Sequence, residues 1–296
     1  MNANGYRSVF RPGLFTDQVA IVTGSGSGIG RCVAHELASL GAGVALIGRN
    51  EKKLQDVRAE LKRSHAEVEY FVCDIRDEER VRTTVAGVLA RFGRIDHLVN
   101  NAGGQYATPL EKISKKGWEA VVASNLTGGF LMARECYLQR MRDHGGAIVN
   151  MVADMWNGMP SMAHSGAARA GMVNMTMTAA LEWASANVRV NAVAPGLVFS
   201  SGVDRYPPEV QEELLRHRSD IPLGRPGTEA EVASAIVFLL SEGAAYISGT
   251  TINIDGAFSM ATPTYKLPPR KKPAPAYDGF HLSQPPALVA NEQKAA

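Results

Sequence analysis

Four glycines fall within the eight residues Thr23-Gly24-Ser25-Gly26-Ser27-Gly28-Ile29-Gly30. Glycine at this spacing lets the backbone turn tightly and approach a pyrophosphate, whose charge then rests on the free N–H groups opening the next helix. A chain that grips the ribose of an unphosphorylated dinucleotide places Asp or Glu about 20 residues further on. Here that stretch reads Leu46-Ile47-Gly48-Arg49-Asn50, with no acid. Arg49 suits a 2′-phosphate instead, through a charge-assisted bidentate pair, and Arg31 adds a second positive charge. The pattern predicts NADP(H) in preference to NAD(H). A second grouping is apolar: seven of the 11 methionines lie in residues 151–177. Met172 and Met175 have helical spacing and suit a core. The methionines of the preceding loop, with Trp156, suit an adaptable pocket for a flexible aliphatic chain.

A phosphate loop needs a strand to deliver it and a helix to receive it. Apolar, β-rich runs, most of them nearly continuous, occupy residues 19–22, 44–47, 68–72, 97–100, 147–151, 188–193 and 251–254. Runs without a wet face belong to strands buried on both sides of a parallel sheet. Helical patterns separate them at residues 30–40, 51–64, 78–92, 118–144, 164–186 and 229–241. The alternation predicts an α/β, doubly wound sheet with right-handed crossovers.

Residues 192–227 break this rhythm with Pro195-Gly196, Pro207-Pro208 and Pro222, and a substrate lid is expected at about residues 197–227. Residues 1–13 read as an N-terminal arm and residues 14–261 as one nucleotide-binding domain. Seven of the 15 prolines lie in residues 262–296, beside Arg270-Lys271-Lys272. This tail is predicted to be extended and coreless, although Tyr265, Leu267, Tyr277, Phe280 and Leu282 would let it reach over the site or a neighbouring subunit.

The 31 basic and 29 acidic residues nearly cancel, leaving +2, and no basic run precedes the tail, which argues against nucleic-acid or membrane-surface partners. Cys32, Cys73 and Cys136 have no metal-ligand spacing, so no metal is expected and a reducing compartment fits. The first fifteen residues carry no secretory apolar run and no stretch is long enough to span a bilayer, so a cytoplasmic protein is expected.

Thr23-Gly-x-x-x-Gly-x-Gly30, Cys73-Asp74-Ile75, Asn100-Asn101-Ala102-Gly103, Asn125 and Pro195-Gly196 stand in an order that resembles the short-chain dehydrogenase/reductase family, over roughly residues 14–260. The resemblance implies a single Rossmann-type sheet of seven parallel strands, helices on both faces, and NAD(P) across the carboxyl edge. It implies that Gly24, Ser25, Gly28, Ile29 and Gly30 hold the pyrophosphate. Asp74 and Ile75 would lie at the adenine, Asn101-Ala102-Gly103 beside its ribose, and Pro195-Gly196 beside the nicotinamide. A homotetramer built on the helices at residues 118–144 and 164–186 is also implied.

The departures from the family decide the chemistry. Most members carry a serine after the fifth strand and Tyr-x-x-x-Lys on the next helix. Here Val152-Ala153-Asp154 follows the strand, and the helix reads His164-Ser165-Gly166-Ala167-Ala168-Arg169. Ser165 takes the tyrosine position and Arg169 the lysine position. The helix and Gly103-Gly104-Gln105 resemble the peroxisomal trans-2-enoyl-CoA reductases, with the 2,4-dienoyl-CoA reductases as neighbours. The helix and Asp154-Met155-Trp156 also resemble bacterial citronellol/citronellal dehydrogenases.

Alcohol oxidation needs a positioned base, worth roughly 10²–10⁴ in rate. A guanidinium stays protonated, and Ser165 has no base at the right spacing. Reducing an activated C=C asks less: charge collects on the carbonyl oxygen, where each fixed donor is worth roughly 10²–10³. The resemblance makes Asn125 the residue that holds a water in the proton path, and Arg169 the one that holds the nicotinamide ribose. Ser165 is a candidate donor, and His164 and Asp154 are candidate acids. The expectation is an NADPH-dependent reductase of an α,β-unsaturated acyl thioester. Alternatives are a citronellol-type alcohol dehydrogenase, requiring His164 or Asp154 as base, and an inactive NADPH-binding protein.

Overall fold

The computed structural model describes residues 5–64, 66–200, 202–261, 272–287 and 289. The seven apolar runs become β1 (Val19–Thr23), β2 (Gly43–Gly48), β3 (Val68–Val72), β4 (His97–Asn100), β5 (Gly146–Met151), β6 (Val188–Pro195) and β7 (Thr251–Ile254). They form one parallel sheet in the order β3-β2-β1-β4-β5-β6-β7. Register is fixed by alternation along each strand, since a slip of one residue would exchange the two faces. Ala20 and Val22 enter the core on one face, while Val19 and Ile21 enter the core on the other.

The first face carries α1 (Gly28–Ser39) and α2 (Glu51–Lys62), and later α9 (Glu229–Leu240). The second carries α3 (Glu78–Phe92) and the long segment α4 (Lys115–Val122), α5 (Gly128–Cys136) and α6 (Arg142–His144), then α7 (Ala163–Glu182). Local signals set the ends. Asn50 accepts from the Lys53 N–H to start α2, and Thr228 with Glu231 forms a capping box on α9. π-turns at Ala123–Thr127 and Tyr137–Met141 interrupt the long segment.

The excursion between β6 and α9 includes α8 (Pro208–His217), which has no fully buried residue. It is pinched at its base: the Gly227 N–H donates to the Leu197 carbonyl at 2.9 Å, and Val198 bridges Gly227. Among the described residues no helix is long and apolar enough to cross a membrane.

The tail differs from the coreless segment its composition suggests. Residues 272–287 lie against the N-terminal arm and the first face of the same chain. Phe280 is buried with its ring 5.9 Å from that of Tyr6. The Arg7 N–H donates to the Gly279 carbonyl, the Tyr277 hydroxyl donates to the Arg7 carbonyl, and Arg225 donates to the carbonyls of Ala274 and Pro275. Proline forbids helix here without forbidding packing. Tyr265, Leu267, Arg270 and Lys271 lie outside the described residues.

Candidate active site

β1 turns toward β2 on one side and has β4 on the other, and this switch in direction opens a crevice at the carboxyl edge of the sheet. A cavity of about 900 Å³ lies there. Thr23, ending β1, accepts on Oγ1 from the N–H groups of Asn101 and Ala102, and Asn101 Nδ2 returns a bond to the Thr23 carbonyl at 2.9 Å. The glycine loop therefore packs against the end of β4. At Gly30 a Cβ would fall 2.4 Å from Asn101 Nδ2 and 2.5 Å from the Gly24 carbonyl, so no other residue fits.

Gly24 and Ile29 line the cavity, with Arg49, Asp74 and Ile75 at one end and Asn101, Ala102 and Gly103 along its floor. Ser25, Gly28 and Gly30 lie behind this surface; Ser25 is buried, its hydroxyl donating to the Ile47 carbonyl. Lys53 and Arg76 join Arg49 at the same end. Hydrogen bonds from Arg76 hold the Asp74 carboxyl down at about pKa 2. Arg31 is not part of this end. It is bidentate to Glu60 at 2.9 Å and also donates to the Leu282 carbonyl, so its charge is already paired.

Asn125 lies in the first π-turn, where the extra residue bends a side chain off the helical row. Its Oδ1 accepts from the Gly104 N–H at 2.8 Å, and its Nδ2 donates to Ser165 Oγ at 3.3 Å. Ser165 Oγ donates to Gln105 Oε1 at 2.6 Å, and Gln105 Nε2 donates to the Tyr206 hydroxyl at 3.3 Å. His164 is fully buried, its Nδ1 accepting from the Ser165 N–H at 2.9 Å. That bond fixes the remaining ring proton on Nε2, which has no partner among the described residues. Asp154 donates its backbone N–H to the Pro195 carbonyl at 3.0 Å. Burial raises its carboxyl, and Asp255 raises it further. Gly196 packs on the same Asp255.

Arg169 is buried beside this cluster. Its Nη1 donates to the Met151 carbonyl, and its Nε has no partner among the described residues. A Cβ on Gly103 would fall 2.8 Å from both Arg169 Nη2 and Asn125 Oδ1. A nicotinamide dinucleotide fits these residues: a glycine cradle, cations at the Arg49 end, and a partly unpartnered guanidinium beside Gly103.

The sequence signalled Gly103-Gly104-Gln105 as unusual but not the bonds Gln105 makes. Lys53 and Ser200, both on the cavity wall, and Tyr206 went unremarked. The methionines are mixed: Met151 in β5 and Met172 in α7 are buried, and Met155, Met159 and Met162 in the loop between them are half-buried.

A family model described as Enoyl-(Acyl carrier protein) reductase matches residues 24–259. A protein of Bacillus subtilis (strain 168) named "Probable 2,4-dienoyl-CoA reductase [(2E)-enoyl-CoA-producing]" is 36% identical, over 81% of this chain and 95% of its own. The 3-oxoacyl-[acyl-carrier-protein] reductase FabG of Staphylococcus aureus (strain Mu50 / ATCC 700699) is 35% identical, over 81% and 98%. Among solved structures, the citronellol catabolism dehydrogenase (AtuB) of Pseudomonas aeruginosa PAO1 is 57% identical, with a TM-score of 0.77, over 86% of this chain and 100% of that one.

Proposed function

We propose that this chain, which belongs to the short-chain dehydrogenase/reductase family of nicotinamide-dependent oxidoreductases, is an NADPH-dependent reductase of a C=C bond conjugated to a carbonyl, in an α,β-unsaturated acyl thioester. The observation that carries this reading is Ser165: it stands where the family has its tyrosine, and its hydroxyl proton is committed to Gln105. NADPH, when bound, supplies a hydride to the carbon β to the carbonyl. Arg49 and Lys53 would hold its 2′-phosphate, and Arg169 its nicotinamide end. Charge then collects on the carbonyl oxygen, where fixed donors and the buried guanidinium lower its energy. The α-carbon takes its proton from water, so no buried acid is required.

Other features support an aliphatic substrate. The Met155–Met162 stretch with Trp156 is apolar and deformable, and α8 offers half-buried Leu214 and Leu215 on a segment tethered at one base. Phe130 and Leu138 on the long helical segment, and Met177 and Leu181 on α7, are exposed and suit subunit pairing into a tetramer. A cytoplasmic enzyme is consistent with three free cysteines.

The second reading is oxidation of a terpenoid alcohol of the citronellol type. The 57% identity to the citronellol catabolism dehydrogenase favours it, and Asp154, with its raised carboxyl next to Pro195, would be the base. The deciding assay offers trans-2-decenoyl-CoA with NADPH beside citronellol and geraniol with NADP and NAD. Enoyl reduction without alcohol oxidation supports the thioester reading. Robust alcohol oxidation that vanishes in Asp154→Asn or His164→Ala, with no enoyl reduction, replaces it.

A further inference from the structure

We propose that Tyr206, carried on the excursion between β6 and α9, donates the hydrogen bond that holds the substrate's carbonyl oxygen; this deepens the reading above and rests on it. The argument starts from a backbone N–H, which can only donate. Gly104 N–H therefore makes Asn125 Oδ1 an acceptor and turns Asn125 Nδ2 toward Ser165. Ser165 Oγ accepts there and gives its own proton to Gln105 Oε1, which turns Gln105 Nε2 toward Tyr206. Each member commits one proton to the next until the last, the second N–H of the Asn125 and Gln105 amides standing outside the series. Tyr206 accepts from Gln105, and its phenolic proton has no acceptor among the described residues.

The position suits the role. Gln105 lines the cavity, and the Tyr206 hydroxyl is 3.3 Å from its amide nitrogen. Tyr206 is itself held: its N–H donates to the Val203 carbonyl at 3.1 Å, and its carbonyl accepts from Gln211 Nε2 at 2.8 Å. A phenol O–H is a hydrogen-bond donor that brings no cation into the site. The Ser165 hydroxyl cannot serve the same end without breaking its 2.6 Å bond to Gln105. The donor the family takes from a helix is thus supplied here by the excursion.

Tyr206→Phe keeps the ring and removes the O–H. The expected result is a kcat on trans-2-decenoyl-CoA lower by roughly 10²-fold, with an unchanged NADPH Kd read from dihydronicotinamide fluorescence. A binding readout without turnover uses NADP with either the thioester or its 2-decenyl thioether, which lacks the carbonyl. The wild type should prefer the thioester, and the variant should lose that preference. An undiminished kcat, a retained preference, or a parallel loss of NADPH affinity would each overturn the assignment. Should the wild type oxidise citronellol and leave the enoyl-CoA untouched, the thioester reading fails on its own. The variant is then assayed on citronellol, where undiminished turnover overturns Tyr206 and a comparable loss retains it as the donor to the substrate oxygen. Absence of turnover on every substrate overturns both.

Discussion

Arg169 donates from Nη1 to the carbonyl oxygen of Met151 at 2.5 Å, a buried cation resting on a peptide carbonyl. Burial pushes its guanidinium down to about pKa 10, with no acid opposing the shift. A charge so placed costs stability and is retained for what it holds. Arg169→Met should leave the thermal midpoint of the cofactor-free protein unchanged or raised, while NADPH affinity falls about 10-fold or more. Arg169→Lys should recover part of that affinity. A midpoint several degrees lower in Arg169→Met, with affinity intact, would assign the arginine to structure alone.

In the proposed reading, the Arg49 end of the cavity sets the choice of dinucleotide. A charge-assisted pair to a 2′-phosphate is worth about 1.5–3 kcal/mol, or roughly 10- to 100-fold. The wild type should bind NADPH more tightly than NADH by that factor, and Arg49→Asp should reverse the order. Measured dissociation constants for both cofactors decide it, and a ratio untouched by the substitution removes Arg49 from the role.

Much of this was legible in the chain, and the exceptions have physical causes. β1 and β2 were readable because strands buried on both faces leave continuous apolar runs. The helix placed at residues 118–144 begins earlier, at Lys115, where Ser114 accepts from the Gly117 N–H. The π-turn around Asn125 left no mark, since one extra residue in a turn hardly disturbs an apolar pattern. Gln105 and Tyr206 lie 101 residues apart and meet only because the excursion folds back over the crevice. The tail misled because prolines report on helices, whereas Phe280 and Tyr277 determine whether the segment packs.

Glu36 makes stability depend on pH. Its carboxyl accepts from the Tyr6 and Ser8 hydroxyls, yet burial outweighs both and pushes it up to about pKa 7. Burial likewise raises Glu229 to about 7. Each folded carboxyl keeps a proton that the unfolded chain loses near pH 4.5, so folding takes up protons between roughly pH 4.5 and 7. Stability should fall as pH rises through that window, by on the order of 3 kcal/mol per group, and level off above it. Denaturant midpoints at pH 5 and pH 8 test the slope, and Glu36→Gln should remove about half of it.

Phe280 ties the tail to the body. Phe280→Ala should cost about 3–5 kcal/mol, as for other fully buried aromatic rings. Ending the chain after Ala261 should cost at least as much, because Tyr277 and its bond to Arg7 go too. Unfolding curves of the two forms give the answer, and wild-type stability in the shortened chain would make the tail dispensable.

The series from Gly104 to Tyr206 has a consequence for proton traffic. A relay conducts only if every member can both give up and regain a proton, so that the whole string reverses. This string begins at a peptide N–H, which does not let go of its proton near neutral pH, so its inner end is closed to conduction. Asn125 and Ser165 act as struts that fix orientation. Any proton consumed in turnover must then arrive by a route other than this string.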